Sequence, residues 1–201
     1  MAPVKITLNK AVIDEIDLTP LNKYVEWNKN NFQYFNLEAG KEHYKICAYL
    51  SKTLTCKKII DLGTYMGFSA TALSFDDTKQ VLSYDIFNWL SDDGSITAES
   101  KENITLFIGD YISDLPEIVK DSDLVMIDID HTGATELEIM DILRKCNYKG
   151  LVLIDDIGLN DEMKKFWDEI PEKKLDISKY AHWSLSGLVI FDPTRFEIIL
   201  E

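Results

Sequence analysis

An α/β fold, with a mainly parallel sheet covered by helices on both faces, is what this sequence of 201 residues predicts. Three observations predict it. From residue 57 onward, short apolar runs alternate with helical or polar segments, the pattern of parallel strands joined by crossovers. Runs such as "LVMI" and "GLVLI" are apolar enough to be covered on both sides, as buried parallel strands are. Acidic residues stand at the ends of these runs, namely Asp61, Asp85, Asp110, Asp128, Asp130, Asp155 and Asp156, and open sheets of this kind bind ligands beyond the carboxyl ends of their strands.

The elements follow in order. The first 55 residues read as one or two helices lying over the core as a lid, because "LNKYVEWNKNNFQYFNLEAGKEHYKICAYLSKTL" carries aromatics and leucines at mixed helical spacing, with helix formers from Glu38 to Leu50. Trp27, Phe32, Tyr34 and Phe35 of this segment, with the distant Trp183, are candidate pocket walls, although aromatics so spaced are more often core. His43 reads as part of the helix surface. "KKIIDLG" is a strand that leads into a helix from about Gly67 to Phe75, and "QVLSYDI" is a strand before the polar loop "FNWLSDDGSITAESKEN". "NITLFIGD" precedes a short helical turn, and "SDLVMIDID" precedes an amphipathic helix that ends near Asn147. "GLVLIDDIG" leads into the helix "NDEMKKFWDEI", and "KLDIS" with "SGLVIFD" makes an antiparallel pair at one edge.

Length fits one domain, 1–201, and 46% hydrophobic with 11% aromatic residues supports a sizeable core. A formal net charge of −14, from 35 acidic and 21 basic residues without a basic cluster, argues against nucleic acid or an anionic membrane as partner. A small-molecule partner is expected instead, with a homo-oligomer left open. "MAPVKITLNK" lacks the apolar core of a leader, and no run approaches the roughly 18–20 apolar residues of a spanning helix, so a soluble, cytoplasmic chain is expected. Cys47, Cys56 and Cys146 have no metal-type spacing and read as buried free thiols in a reducing compartment.

"IIDLGTYMGFSATAL" is a strand, a turn and a helix start. Gly63 and Gly67 let the backbone turn tightly, and helix-terminal amides can meet a carboxylate or phosphate; an ordinary strand-to-helix turn would use the same glycines. The dinucleotide fingerprint G-x-G-x-x-G is not met, because position 65 is Tyr. "DLGTYMGFSA" resembles motif I of class I S-adenosylmethionine-dependent methyltransferases, and more narrowly the catechol O-methyltransferase group, over roughly residues 57–192. The resemblance implies a Rossmann-like class I methyltransferase fold, with a mainly parallel seven-stranded sheet, an antiparallel edge strand, and a lid (1–55) over a cofactor-binding core (57–192).

It also implies roles. Gly63, Tyr65 and Gly67 would shape the pocket around the methionine part of S-adenosylmethionine, Ser69 would hold its carboxylate and Asp61 would face its ammonium. Asp85 would take the ribose hydroxyls, its two acceptor oxygens suiting a diol. Asp110 would lie by the adenine amino group with Tyr111 beside the ring, and a turn-capping role is open for Asp110. The polar loop after Asp85 would cover the adenosine side.

Asp128 and Asp155 are 27 residues apart, the span of one strand end, a crossover helix and the next strand end. If their strands are neighbours, both carboxylates reach one cation, and hard oxygen donors select magnesium, calcium or manganese. The segment resembles the metal-dependent O-methyltransferases, and "IDIDH" followed by "GLVLIDDI" is closer to the macrolide sugar O-methyltransferases. That resemblance implies Asp128, Asp155 and Asp156 as cation ligands, with Asp128 also beside the cofactor. Asp130 is a fourth ligand or a helix cap. His131, where the sugar enzymes carry histidine, would be the base that takes the acceptor proton, with His182 the rival. The expected activity is methyl transfer to a hydroxyl of a sugar or other vicinal diol, with S-adenosylmethionine and Mg2+ or another divalent cation. A metal-independent methyltransferase acting on nitrogen or carboxyl, and a non-catalytic cofactor-binding module, are the alternatives.

Overall fold

The computed structural model describes residues 2–25, 32–89 and 101–201. In chain order its strands and helices are β1 (Val4–Leu8), α1 (Lys10–Asp14), α2 (Tyr44–Thr53), β2 (Lys58–Leu62), α3 (Phe68–Leu73), β3 (Gln80–Asp85), β4 (Ile104–Ile108), α4 (Leu115–Ile118), β5 (Ser122–Ile127), α5 (Ala134–Lys145), β6 (Leu151–Ile154), α6 (Asp161–Glu169), β7 (Lys173–Asp176), β8 (Gly187–Ile190) and β9 (Phe196–Leu200). Seven strands form one sheet in the order β4-β3-β2-β5-β6-β8-β7. β2 pairs in parallel with β3 and β5, β3 with β4, and β5 with β6. The strand order therefore reverses around β2, the switch point where such sheets place a ligand crevice.

The strands are apolar on both faces because both faces are covered. Ile59, Val81, Leu124, Met126, Leu151 and Leu153 pack on the side of α2 and α3. Ile60, Leu62, Val125, Ile127, Val152 and Ile154 pack on the side of α5 and α6. The period-two alternation of side chains thus divides each strand between two cores. Each fully buried aliphatic side chain contributes ~1.5–3 kcal/mol against exposure, which fixes the sheet as a rigid frame for its loops.

Helix ends carry the expected chemistry. The Asn160 side chain accepts from the Met163 amide to cap α6, with Asp161 and Glu162 in its first turn. α5 has Glu136 in its first turn and Arg144 and Lys145 in its last.

Two features depart from the sequence reading. The N-terminal segment is more than a set of helices: β1 pairs in parallel with β9 as a separate two-stranded sheet, which buries Ile6, Leu8 and Phe196. Five-residue strands with lysine and threonine between their apolar positions give too short a pattern to separate from loop. β7 and β8 do form the antiparallel pair at one edge. The reversed strand is β8, one place in from that edge and antiparallel to β6 as well, so β7 regains the direction of the rest. Cys47 and Cys56 are buried free thiols, whereas Cys146 is partly exposed. Among the described residues no helix is long and apolar enough to cross a membrane.

Candidate active site

The parallel ladder continues one residue beyond the strands and locks their ends together. The Gly63 amide donates to the Tyr84 carbonyl, Asp128 to Leu62 and Asp155 to Ile127, at 2.9–3.0 Å. These bonds set the loops after β2, β5 and β6 side by side. Gly63 sits at φ 101°, and a Cβ there would lie 1.6 Å from the Asp128 carbonyl oxygen. No side chain fits that contact. Gly67, at φ 74°, turns the loop into α3.

Behind this loop lies Asp61, fully buried at the end of β2. Its Oδ2 accepts from Ser83 at 2.6 Å and Ser69 at 3.1 Å, while its Oδ1 has no hydrogen-bond partner. Burial, opposed by those hydroxyls, pushes its carboxyl up to about 7. A buried acceptor left open is costly unless a ligand meets it, and an ammonium is the complementary group. Ser69 therefore works through Asp61 as it stands, with its hydroxyl spent on that carboxylate.

Two cavities flank the loop. One of about 370 Å³ is lined by Tyr65, Asp85, Phe87, Trp89, Tyr111 and Asp130, among others. Asp85 accepts the Tyr65 amide at 2.9 Å and the Phe87 amide at 3.0 Å, which orients its carboxylate into the cavity mouth. The second cavity, about 160 Å³, is lined by Tyr34, Glu42, His43, Tyr44, Thr64 and Ser69, among others. Gly63, Tyr65 and Asp128 line both. The larger cavity suits a nucleoside, with apolar walls and a few polar groups, and the smaller runs on from it over Ser69. Asp110 is exposed, and its carboxylate accepts the Ile112 amide at 3.0 Å, the geometry of a turn. Tyr111, buried, does line the larger cavity.

The carboxylates after β5 and β6 meet all three histidines of the chain. His131 Nε2 is 3.2 Å from Asp128 Oδ1 and 3.1 Å from Asp156 Oδ2. His182 Nδ1 is 3.1 Å from Asp156 Oδ1 and 3.4 Å from Asp155 Oδ1, while its Nε2 is 3.0 Å from Glu42 Oε2. His43 Nδ1 is 3.0 Å from Asp155 Oδ2, and its Nε2 is 3.9 Å from Asp128 Oδ2. Ser186 donates to Asp155 at 2.9 Å, and Ser184 donates to Asp156.

Strained backbone recurs around the cluster. Tyr65 (φ 40°), His131 (φ 56°) and Asp156 (φ 58°) all take the left-handed conformation that L side chains rarely adopt. The His131 backbone is pinned on both sides, its amide donating to Glu136 at 3.0 Å and its carbonyl accepting from Asn160 at 2.9 Å. Asp130 stands apart from the cluster: it accepts from the Thr132 and Thr135 hydroxyls, without capping α5, whose N-cap is Gly133.

His43 corrects the sequence reading. It lies 4% exposed at the start of α2, facing the strand ends rather than solvent. No local pattern marks it; only the fold brings it to the carboxylates that the other two histidines meet. Phe35 is core, fully buried against Phe68, and Tyr34 lines the smaller cavity. Trp183 is 68% exposed beside His182. Trp27, the Phe32 side chain and the loop from residue 90 to 100 lie outside the described residues.

Charge alternates through the cluster. Burial alone would strip His43 of its proton, yet Asp155 beside it holds the imidazole up to about 9. The approach of Asp128, opposed by burial, holds His131 up to about 9 as well. Burial is likewise outweighed at His182, which Asp156 and Glu42 hold up to about 10. Asp155, despite burial, is held well below the usual carboxylate range by His43 and His182. Asp128 moves the other way, because burial outweighs His131.

Such a set fits a cation. Carboxylates supply hard oxygen donors, and both ring nitrogens of His43 and the Nε2 of His131 are buried without a hydrogen-bond partner. The carboxylates of Asp128, Asp155 and Asp156 stand on adjacent strand ends, as expected. Among the described residues, the donor atoms gathered within 4.8 Å of one another are those of His43, Asp155 and His182, while Asp128 and Asp156 are joined through His131.

Comparison with known proteins bears on the fold. Residues 60–157 match a family model described as a methyltransferase domain. The chain is similar to the SAH-bound methyltransferase PaMTH1 of Podospora anserina, with a TM-score of 0.65 and 14% identity over 90% of this chain and 92% of that one. It is similar to a methyltransferase of Geobacter sulfurreducens (TM-score 0.60, 12% identity, 88% and 89% covered). It is similar also to an SAH-complexed O-methyltransferase of Bacillus cereus (0.54, 14%, 90% and 96%). A comparison with curated protein sequences finds no match. The seven-stranded fold is that of class I methyltransferases.

Proposed function

We propose that this class I S-adenosylmethionine-dependent methyltransferase carries the methyl group to a hydroxyl of a small vicinal-diol compound, a sugar among them, with a divalent cation at Asp128, Asp155 and Asp156. One observation carries the reading. Three carboxylates and three histidines converge on neighbouring strand ends, next to a wall that two cavities share.

In this reading the adenosine occupies the larger cavity, with Asp85 toward the ribose and Tyr111 toward the base. The methionine end lies over Gly63, with its ammonium at the open oxygen of Asp61. Asp128, lining both cavities, stands where the methyl passes. His131, in the neutral form that a cation beside Asp128 would favour, would take the hydroxyl proton, and its pinned backbone keeps the ring aimed at that point. Glu42 and Asp156 hold His182 as the second candidate for that proton. A cation, when bound, supplies charge that lowers the hydroxyl pKa and a template that two adjacent oxygens satisfy best.

A metal-free form of the same transfer has one observation in its favour: Asp155 and Asp156 already accept from Ser186 and Ser184, and imidazoles already balance their charge. Turnover of vicinal-diol acceptors with S-adenosylmethionine, with and without excess chelator, separates the two. The proposal expects turnover to vanish in chelator while calorimetry still registers cofactor binding. Full activity in chelator overturns the cation's part in it.

A further inference from the structure

The histidines change what the centre asks of its ion. His43 and His182 come from opposite ends of the chain, yet their rings stand 5.6 Å apart, centroid to centroid, across the Asp155 carboxylate. One nitrogen of each ring and one oxygen of Asp155 all lie within 4.8 Å of one another. The His43 ring is 95% buried and both its nitrogens lack a hydrogen-bond partner, although Nδ1 is only 3.0 Å from Asp155.

That combination has a physical reading. A buried imidazole satisfied by a carboxylate points its N–H at the oxygen. Here the separation is short but the direction is wrong for a hydrogen bond. Two ligands each ~2.1 Å from a shared ion stand ~3.0–3.4 Å apart, with their lone pairs aimed at the ion and not at each other. The spacings of 3.0 Å from His43 and 3.4 Å from His182 to Asp155 are of that kind.

We infer that the cation centre is His43–Asp155–His182, a two-imidazole, one-carboxylate set that takes a first-row transition ion such as zinc or cobalt in preference to magnesium. The inference rests on the reading above that a cation takes part, and it moves that cation from an all-carboxylate position toward α2. Imidazole nitrogens favour zinc, iron and nickel, whereas magnesium demands oxygen donors and retains its waters. Three protein ligands leave positions open for an acceptor oxygen. Glu42 then acts as the positioning residue, holding the His182 ring by Nε2, while Nδ1, now 3.1 Å from Asp156, would exchange that partner for the ion.

The test uses the full chain, stripped with chelator and then reloaded. Calorimetry with Zn2+, Co2+ and Mg2+ is expected to give one tight site for the transition ions and at least ~100-fold weaker uptake of Mg2+. X-ray absorption of the zinc-loaded chain is expected to show imidazole nitrogen in the ligand shell. His43→Asn and His182→Asn should each weaken Co2+ uptake by at least the ~10–100-fold that loss of a supporting contact costs. The two substitutions lie on different elements, so a folding defect in one leaves the other to report. An all-oxygen shell, or magnesium bound as tightly as cobalt, overturns the inference; if S-adenosylmethionine still binds, the transferase reading survives it. Uptake on two imidazoles without cofactor binding supports the centre and removes the transferase reading.

Discussion

The two halves of the site are built in opposite ways. The cofactor half is centred on one continuous stretch, Asp61 to Ser69, joined at the larger cavity by Asp85 and Tyr111, and it relies on backbone: two glycines, a strained tyrosine and amides that neighbouring strands receive. The proposed cation half is assembled from four stretches far apart in the chain, bringing together His43, Asp128 with His131, Asp155 with Asp156, and His182. A local motif specifies the centre of the first half. Only the folded sheet specifies the second.

The contrast can be broken where the halves touch. Gly63→Ala would drive a methyl group into the Asp128 carbonyl. It should cost about 3–5 kcal/mol of stability, within the upper range for single substitutions, and abolish cofactor binding together with turnover. Thermal unfolding and calorimetry check both; a stable alanine variant that binds cofactor would mean that the halves are not welded there. Next in size is Asp155→Ala, which leaves two buried imidazoles without their shared carboxylate. We expect a loss of about 3 kcal/mol and no turnover, with cofactor affinity nearly unchanged because the cofactor half is untouched.

A pH experiment addresses the cofactor half alone. Because Asp61 has its carboxyl raised to about 7, the folded chain holds a proton there that the unfolded chain releases near pH 4. Its contribution to stability is therefore greatest below about pH 4 and declines as pH rises toward about 7. An ammonium ligand needs the carboxylate, so cofactor affinity should fall about tenfold per unit as pH drops below about 7, with one proton released on binding. Asp61→Asn should flatten that profile. The smallest effect is expected at Asp110, an exposed turn residue. Asp110→Ala should change cofactor affinity less than about threefold and stability by ~0.5 kcal/mol, and a larger loss of affinity would return it to the adenine.

The same contrast explains what was legible in the sequence. The strands and their order of appearance could be read because buried parallel strands are apolar throughout, and the loop at Gly63 could be read because its residue types are dictated by backbone geometry. The carboxylates at 128, 155 and 156 could be read because strand ends have a place in the chain. His43 could not, since a histidine before a helix has no local pattern, and its partners lie more than eighty residues on. Ser184, Ser186 and Glu42, which orient the cluster, were equally silent. β1 and β9 escaped notice because each is only five residues long and neither has its partner nearby in sequence.

The left-handed backbone at Tyr65, His131 and Asp156 has a consequence for how this protein would respond to selection. Each such residue stores ~1–3 kcal/mol that a glycine would release. Screening for heat resistance alone would reward glycine at 65, where the tyrosine is more than half exposed, and the survivors would be sturdier and idle, whereas at 131 the released strain is set against two carboxylates left without their imidazole. Thermostability and turnover are thus opposed at identifiable positions, and a library varied at these three should sort the sequences along that trade.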